Sequence, residues 1–294
     1  MTVACQNTLA APAAFSGVGV HTGVLAHVRV EPAPVDAGIC FVRTDLPAEM
    51  GEVPARVEAV CETRLGTVIG NPAGATVSTV EHLLASLASL GVDNAVVRID
   101  GPETPIMDGS CAAFVDALDA AGRAAQSARR QVIEVLKPVS VEEGDKRAAL
   151  LPADRFEVAF EIAFPSAAIG RQSLDVVVTE ESFRAELAAA RTFGFLHEVE
   201  MLRKMGLARG GDLDNTIVVD GDRVMNPNAL IRPDDFVRHK MIDAIGDLAL
   251  LGAPILGRYE GRYSGHALNN ALARALLADP TAWRRRDGPA PRAG

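Results

Sequence analysis

Residues 236–251, FVRHKMIDAIGDLALL, constrain this chain more than any other stretch. Read as a helix, they place His239, Asp243 and Asp247 at i, i+4 and i+8, stacked along one face. Phe236, Met241, Ile242, Ile245, Leu248 and Leu251 spread over the remaining sides, which predicts a helix buried nearly all round. An imidazole and two carboxylates in that setting must be paired, hydrogen-bonded or bound to a metal, because an isolated buried charge costs too much. The His-x-x-x-Asp spacing lets both side chains reach one ion, with Asp247 one turn further on to orient a ligand or relay charge. The alternative is a surface helix whose Arg238 and Lys240 balance its aspartates.

The 294 residues suffice for two domains of ordinary size or one large one. Aromatics make up only 4% and the net charge is -9, which together argue against a nucleic-acid partner. No apolar run approaches the ~20 residues that a membrane span needs. The first fifteen residues lack a basic n-region and make a poor signal peptide. Cys5, Cys40, Cys61 and Cys111 are scattered without a C-x-x-C pair, as expected of reduced thiols in a cytoplasmic protein. Any metal would therefore be held by histidine and carboxylate.

The first half reads as strands at 18–21 and 25–30, a helix within 76–90 capped by Ser78 or Thr79, a strand at 94–100 and a helix at 112–125. Gly17, Gly19 and Gly23 have the wrong spacing for a dinucleotide loop, and no helical pattern follows them. Residues 125–130 read as a polar linker. The second half repeats the outline, with strands at 131–141, 148–151 and 155–162 and helices at 180–190, 236–251 and 268–277. Between the two main helices, 195–219 carries a short helix, a Gly210-Gly211 turn and the strand NTIVVD. The expected class is α+β: two similar halves, each a sheet with a helix layer, packed helix layer to helix layer. The boundaries are 1–127 and 128–280, followed by a basic, disordered tail at 281–294.

Several residues have side chains suited to chemistry. Adjacent helical residues point about 100° apart, so of Glu81 and His82 one can bind a metal while the other reaches a water on it. The alternative is a first-turn glutamate beside a core histidine. His266, in YSGHALNN, would be kept protonated by a nearby Asp247 and would then suit a general acid, although Ser264 or Asn269 could simply satisfy it. Thr192, in ARTFGF, could donate to an oxyanion or merely lie at a helix end that Gly194 stops. His27 and His197 read as structural, and Met201 stands where a zinc-protease His-Glu-x-x-His would need its second histidine.

Several ordered blocks carry a resemblance that single motifs do not. GVGVHTG, STVEHLLASLASLGVDNAVV, PIMDGSCAAF, ARTFGF, NPNALIRPDDFVRHKMIDAIGDLALLG and SGHALNNALARALL resemble the UDP-3-O-acyl-N-acetylglucosamine deacetylase family, from about residue 17 to 277. The resemblance implies a zinc amidase of lipid A synthesis whose partner is an acylated UDP-amino sugar. It implies one zinc ion on His82, His239 and Asp243, with ferrous iron as an ion that could share these ligands. Glu81 would be the general base, His266 the general acid tuned by Asp247, and Thr192 an oxyanion donor. Lys240 would orient substrate and His21 would lie near the active site.

A small βαβ insertion at 193–219 would form the acyl passage, with Phe193, Leu202, Gly211, Thr216 and Val218 as lining. Lys146, in a Gly-Asp-Lys stretch, would contact the diphosphate, and Phe164 would stack on the uracil. The protein would act as a cytoplasmic monomer. One departure stands out: several relatives carry a cysteine where this chain has Gly66, which implies a changed tolerance of excess zinc. Two other classes are a different metal hydrolase on the same triad and a non-catalytic module with structural zinc. The insertion counts against the first, and the presence of Glu81, His266 and Thr192 together counts against the second.

Overall fold

The computed structural model describes residues 4–288 and has the expected mixed α+β class. The helices, in chain order, are α1 (Glu81–Ser89), α2 (Ala112–Ala121), the single turn α3 (Glu180–Ser182), α4 (Leu196–Lys204), α5 (Asp235–Ala249) and α6 (His266–Ala278). A five-stranded sheet in the first half runs in the order Ala13–Val18, Leu25–Pro32, Ala95–Ile99, Ile39–Arg43, Glu52–Pro54. A seven-stranded sheet in the second half is organised on Ile255–Arg262, which pairs with Lys146–Leu151, Phe156–Ala163 and Gln131–Val135. Helix α2 packs on the first sheet, α5 and α6 pack on the second, and α1 lies along α5.

The long helix forms where its pattern predicts, starting one residue early and ending two residues early. Every residue from Asp235 to Leu248 except Lys240 is buried, so the surface-helix alternative falls. Its contact with α1 requires Gly246. A Cβ built there would lie 2.0 Å from the carbonyl oxygen of Glu81, so the two backbones meet with only hydrogen between them.

Several expectations are corrected. Residues 125–130 are no linker: Arg123–Arg129 is a strand paired antiparallel with Cys5–Leu9. Its alternate residues are half-buried, a period-two pattern hidden by the small and polar composition of RAAQSAR. The first hairpin strand ends at Val18, and residues 19–24 form the turn, closed by Gly19 N–H to Val24 O at 3.0 Å and Gly23 N–H to Gly19 O at 2.9 Å. The strand expected at 131–141 is two strands, Gln131–Val135 and Val139–Glu143, separated around Pro138, which has no N–H to donate. Neither Ser78 nor Thr79 caps α1; the cap position is Val80, with no side-chain hydrogen bond.

Helix 112–125 stops at Ala121, where Gly122 has φ +69. Residues 180–190 wind one α-turn and then a π-helical stretch, Phe183–Leu187. Trp283–Asp287, expected within a disordered tail, is a strand on Gln131–Val135. Two of its three cations are paired there: Arg284 and Arg286 both reach Glu134. The remainder of that tail, 289–294, lies outside the described residues.

The insertion is a βαβ unit. Phe193–Phe195 and Ile217–Asp220 pair in parallel, with α4 as the crossover between them.

Replacing Gly246 with alanine tests the helix contact. Gly246→Ala is expected to destabilise the protein by about 1–3 kcal/mol in denaturant unfolding, the usual cost of overpacking, and to weaken whatever His82 and His239 hold together.

Candidate metal centre and active site

The approach of α1 to α5 at Gly246 sets His82 against His239 and Asp243. The Nε2 atoms of the two imidazoles are 3.2 Å apart. Asp243 Oδ1 lies 3.6 Å from His82 Nε2 and 3.4 Å from His239 Nε2. Ligand atoms about 2.0–2.1 Å from a tetrahedral ion lie about 3.4 Å from one another. All three separations match that figure, so this group can hold a metal ion.

The electrostatics suit the same use. His239 Nδ1 lies 3.1 Å from the carbonyl of Ala190, so a proton there donates to that oxygen and leaves the Nε2 lone pair free. Burial keeps this imidazole neutral, lowering its pKa to about 4. Burial alone would raise the carboxyl of Asp243, but the Lys240 ammonium and the surrounding imidazoles outweigh it and hold the group ionised, well below the usual carboxylate range. Lys240 Nζ donates to Asp243 Oδ2 at 2.6 Å, which leaves Oδ1 turned toward the histidines.

Two further groups face the triad. Glu81 Oε2 accepts the amide N–H of Thr67 at 3.0 Å, and burial raises its carboxyl pKa, an effect only partly offset by His266 and His82. His266, expected in a loop, is the first residue of α6, preceded by Gly265 at the cap position. Its Nε2 lies 3.8 Å from Glu81 Oε1 and 3.9 Å from Asp243 Oδ2. Burial opposes its positive charge, but Asp247, Glu81 and Asp243 win, lifting its pKa to about 9.

Asp247 anchors this arrangement through the expected contact with His266 and two more, to Asn269 and Thr67, that the sequence did not suggest. Its Oδ2 lies 2.9 Å from His266 Nδ1 and accepts from Asn269 Nδ2, also at 2.9 Å, while Oδ1 accepts from the Thr67 hydroxyl. The amide of Asn269 is oriented by its other side, since Oδ1 accepts from Tyr259 Oη at 2.6 Å and Ser264 Oγ at 2.7 Å. Asn269 therefore serves Asp247 rather than His266. Its i+3 spacing from His266 was the available signal; for Thr67 no periodicity existed.

A cavity of about 360 Å³ opens over these groups. Glu81, His82, His239, Asp243, His266 and Thr192 border it, and the strand pair and helix of the insertion form the apolar remainder. Phe193, Leu202, Gly211, Thr216 and Val218 all line it, and so does His21, whose Nε2 faces Leu65 O at 3.2 Å. Lys146 and Phe164 do not. Lys146 is exposed at a strand end, where Arg147 pairs with Arg262, near the loop that leads to His266. Phe164 packs edge-on against Phe193 at 5.7 Å between centroids. At Gly66 a Cβ would lie 2.9 Å from Glu81 Oε1, so the glycine leaves room beside that carboxylate.

The sequence matches the profile of the family described as UDP-3-O-acyl N-acetylglycosamine deacetylase over residues 6–278. It is 63% identical over 279 residues to the UDP-3-O-acyl-N-acetylglucosamine deacetylase of Phenylobacterium zucineum, covering 95% of each chain. The proteins of that name from Myxococcus xanthus and Neisseria meningitidis (serogroup C / serotype 2a) are 47% and 45% identical; 95% of this chain is covered in both, with 88% and 92% of theirs.

Metal analysis separates ligands from neighbours. His239→Ala and Asp243→Ala protein, purified without added metal, is expected to carry less than about a tenth of the metal of the unsubstituted chain, since a ligand loss commonly exceeds the 10–100-fold cost of a neighbouring contact. Glu81→Ala protein should keep its metal.

Proposed function

Because the chain belongs to the UDP-3-O-acyl N-acetylglycosamine deacetylase family, and so is an enzyme acting on an amide, we propose that it hydrolyses the N-acetyl group of UDP-3-O-(3-hydroxyacyl)-N-acetylglucosamine. Acetate is released, and the step is the committed one of lipid A biosynthesis. The cofactor in this reading is one zinc ion on His82, His239 and Asp243; ferrous iron has compatible ligand chemistry. The observation that carries the reading is the convergence of three ligand atoms, a buried carboxylate and a carboxylate-paired histidine on one cavity with an apolar extension.

A divalent ion bound here supplies Lewis-acid polarisation of the amide carbonyl and acidifies a water. Glu81 takes the proton of the attacking water; its Oε2 is occupied by the Thr67 amide, so Oε1 is the accepting atom. The water oxygen bonds to the carbonyl carbon, and the Thr192 hydroxyl donates to the oxygen that becomes negative. His266 Nε2 then gives its proton to the glucosamine nitrogen as the C–N bond breaks. The Asp247 carboxylate, 2.9 Å from Nδ1, favours the imidazolium until that transfer. Lys240 holds Asp243 and presents its remaining N–H groups to substrate.

The 3-O-acyl chain lies in the part of the cavity bordered by Phe193, Leu202, Gly211, Thr216 and Val218, with His21 at its wall. Lys146 takes the diphosphate and Phe164 the uracil; the position of Lys146 at the sheet end near the His266 loop supports the first of these. The two halves, 1–127 and 128–280, the second extended by the strand Trp283–Asp287, act as sheet-and-helix layers meeting through α1 and α5, in a cytoplasmic monomer. Free cysteines and the α1–α5 contact support that account. Among the described residues no helix is long and apolar enough to cross a membrane.

Acetate release from UDP-3-O-(3-hydroxyacyl)-N-acetylglucosamine tests the reaction. Release should stop with a chelator, return with zinc, and fall by about 10²–10⁴-fold in Glu81→Ala protein that retains its metal. A zinc-loaded, folded chain that releases none would move the activity to another amide. The passage has its own test. Gly211 has room for a Cβ, with its nearest neighbour, Val20 Cγ2, at 3.6 Å. Gly211→Leu should raise KM for a long-chain substrate far more than for a short-chain one, and equal increases would count against an acyl site there.

A further inference from the structure

Glu103 is a buried carboxylate with 1% exposure and, among the described residues, no ion-pair partner. Four donors meet its charge instead. Oε1 accepts from the His21 N–H and the Thr79 hydroxyl, each at 2.9 Å. Oε2 accepts from the Thr22 N–H at 2.8 Å and the Thr22 hydroxyl at 2.7 Å. The turn wraps so closely that a Cβ at Gly19 would fall 2.2 Å from Oε2. A carboxylate so satisfied without a cation is a rigid anchor, because each donor would be left unpaired if it moved.

What it anchors differs on its two sides. Thr79 has φ +58, a left-handed conformation that a β-branched residue adopts only when its surroundings impose it. It stands two residues ahead of Glu81 and three ahead of His82, at a helix start without a side-chain cap. The aim of both side chains therefore depends on what holds residues 78–79. Backbone bonds from Ser78 N–H to Pro102 O at 2.9 Å and from Thr104 N–H to Ser78 O at 3.0 Å help to do so. The hydroxyl bond to Glu103 is the contact made by the strained residue's own side chain. On the other side, the turn at 19–23 carries His21 into the cavity wall and supports the insertion. Arg209 N–H donates to His21 O at 3.2 Å and Gly210 N–H to Val20 O at 3.1 Å.

We propose that Glu103 is a positioning residue that ties the metal-binding start of α1, through Thr79, to the cavity-lining turn and insertion, through His21 and Thr22. It sets the two parts of the site in register with one another. The inference rests on the deacetylase reading for its kinetic consequences, but not for its effect on the metal.

The test uses the full-length zinc-loaded protein with Thr79→Val, Thr79→Gly, Thr22→Val and Glu103→Gln, reading zinc affinity by chelator competition alongside kcat and KM for acetate release. Thr79→Val replaces the hydroxyl with a methyl of similar size, and Thr79→Gly removes it while accepting the positive φ, so the two variants lose the bond with different demands on the backbone. Both should bind zinc about 10-fold more weakly and lose about 10- to 100-fold in kcat with little change in KM. Thr79→Ser, which keeps the hydroxyl, should restore most of both. Thr22→Val should instead raise KM, and Glu103→Gln should show both effects. Wild-type zinc affinity in the folded Thr79 variants would overturn the proposal, whether or not acetate is the product. So would losses of apparent kcat that merely follow the folded fraction in every variant, with KM unchanged throughout. A wild-type chain without acetate release would count against the substrate reading alone, since the zinc comparison would still decide the role of Glu103.

Discussion

The contact between α1 and α5 is the constraint on which the rest of this structure depends. Two helices approach so closely at Gly246 that backbone meets backbone, and along the same contact His82 comes within 3.2 Å of His239. Neither helix holds enough ligands for an ion alone. α5 offers His239 and Asp243 at i and i+4, and α1 offers His82 with Glu81 beside it. A side chain at position 246 would force the helices apart, and ligand atoms that now match a tetrahedral edge would no longer meet one ion.

Burial makes the same cluster expensive, and the network around it shows how the cost is met. Three carboxylates and three imidazoles share a small volume, with Lys240 as the ammonium among them. Each acid has a different environment, and its charge state follows. Asp243 is held ionised by Lys240 and the imidazoles, whereas Glu81, mainly desolvated, is pushed toward its neutral form. Burial that raises the Glu81 carboxyl makes it a stronger proton acceptor, while the carboxylates around His266 keep that imidazole charged, the opposed tuning that the proposed base and acid require. Asp247 is satisfied by Thr67, His266 and Asn269, and Asn269 is fixed in turn by Tyr259 and Ser264. Such a chain leaves little freedom at His266, which suits a group meant to carry a proton to one particular atom.

The apolar part of the cavity has a separate origin. It comes from a βαβ insertion whose parallel strands are too few to form a core of their own. The insertion leans on the hairpin turn at residues 19–23, in the other half of the chain, through Arg209 and Gly210. The cavity wall is thus contributed by segments nearly two hundred positions apart, and its shape depends on how the two halves are held.

The long-range arrangement is what the amino-acid pattern alone left open. The buried helix at 235–249, the helix carrying Glu81 and His82, the βαβ insertion and the family blocks were all legible, because each rests on a local period, a breaker or an ordered run of residues. The central strand Ile255–Arg262 was not: its glycines and charged residues have weak strand propensity, and it is a strand because three neighbours pair with it. The same holds for Arg123–Arg129 and Trp283–Asp287, which composition marked as linker and tail. In the site, local spacing determined which side chains share a helix face, and hence His239 with Asp243. Only the tertiary structure decided that His82 would meet them, that Asn269 would turn to Asp247 and that Glu103 would collect four donors. A helical period carries direction over one or two turns, whereas a hydrogen bond between residues 67 and 247 exists only once two separate segments have packed.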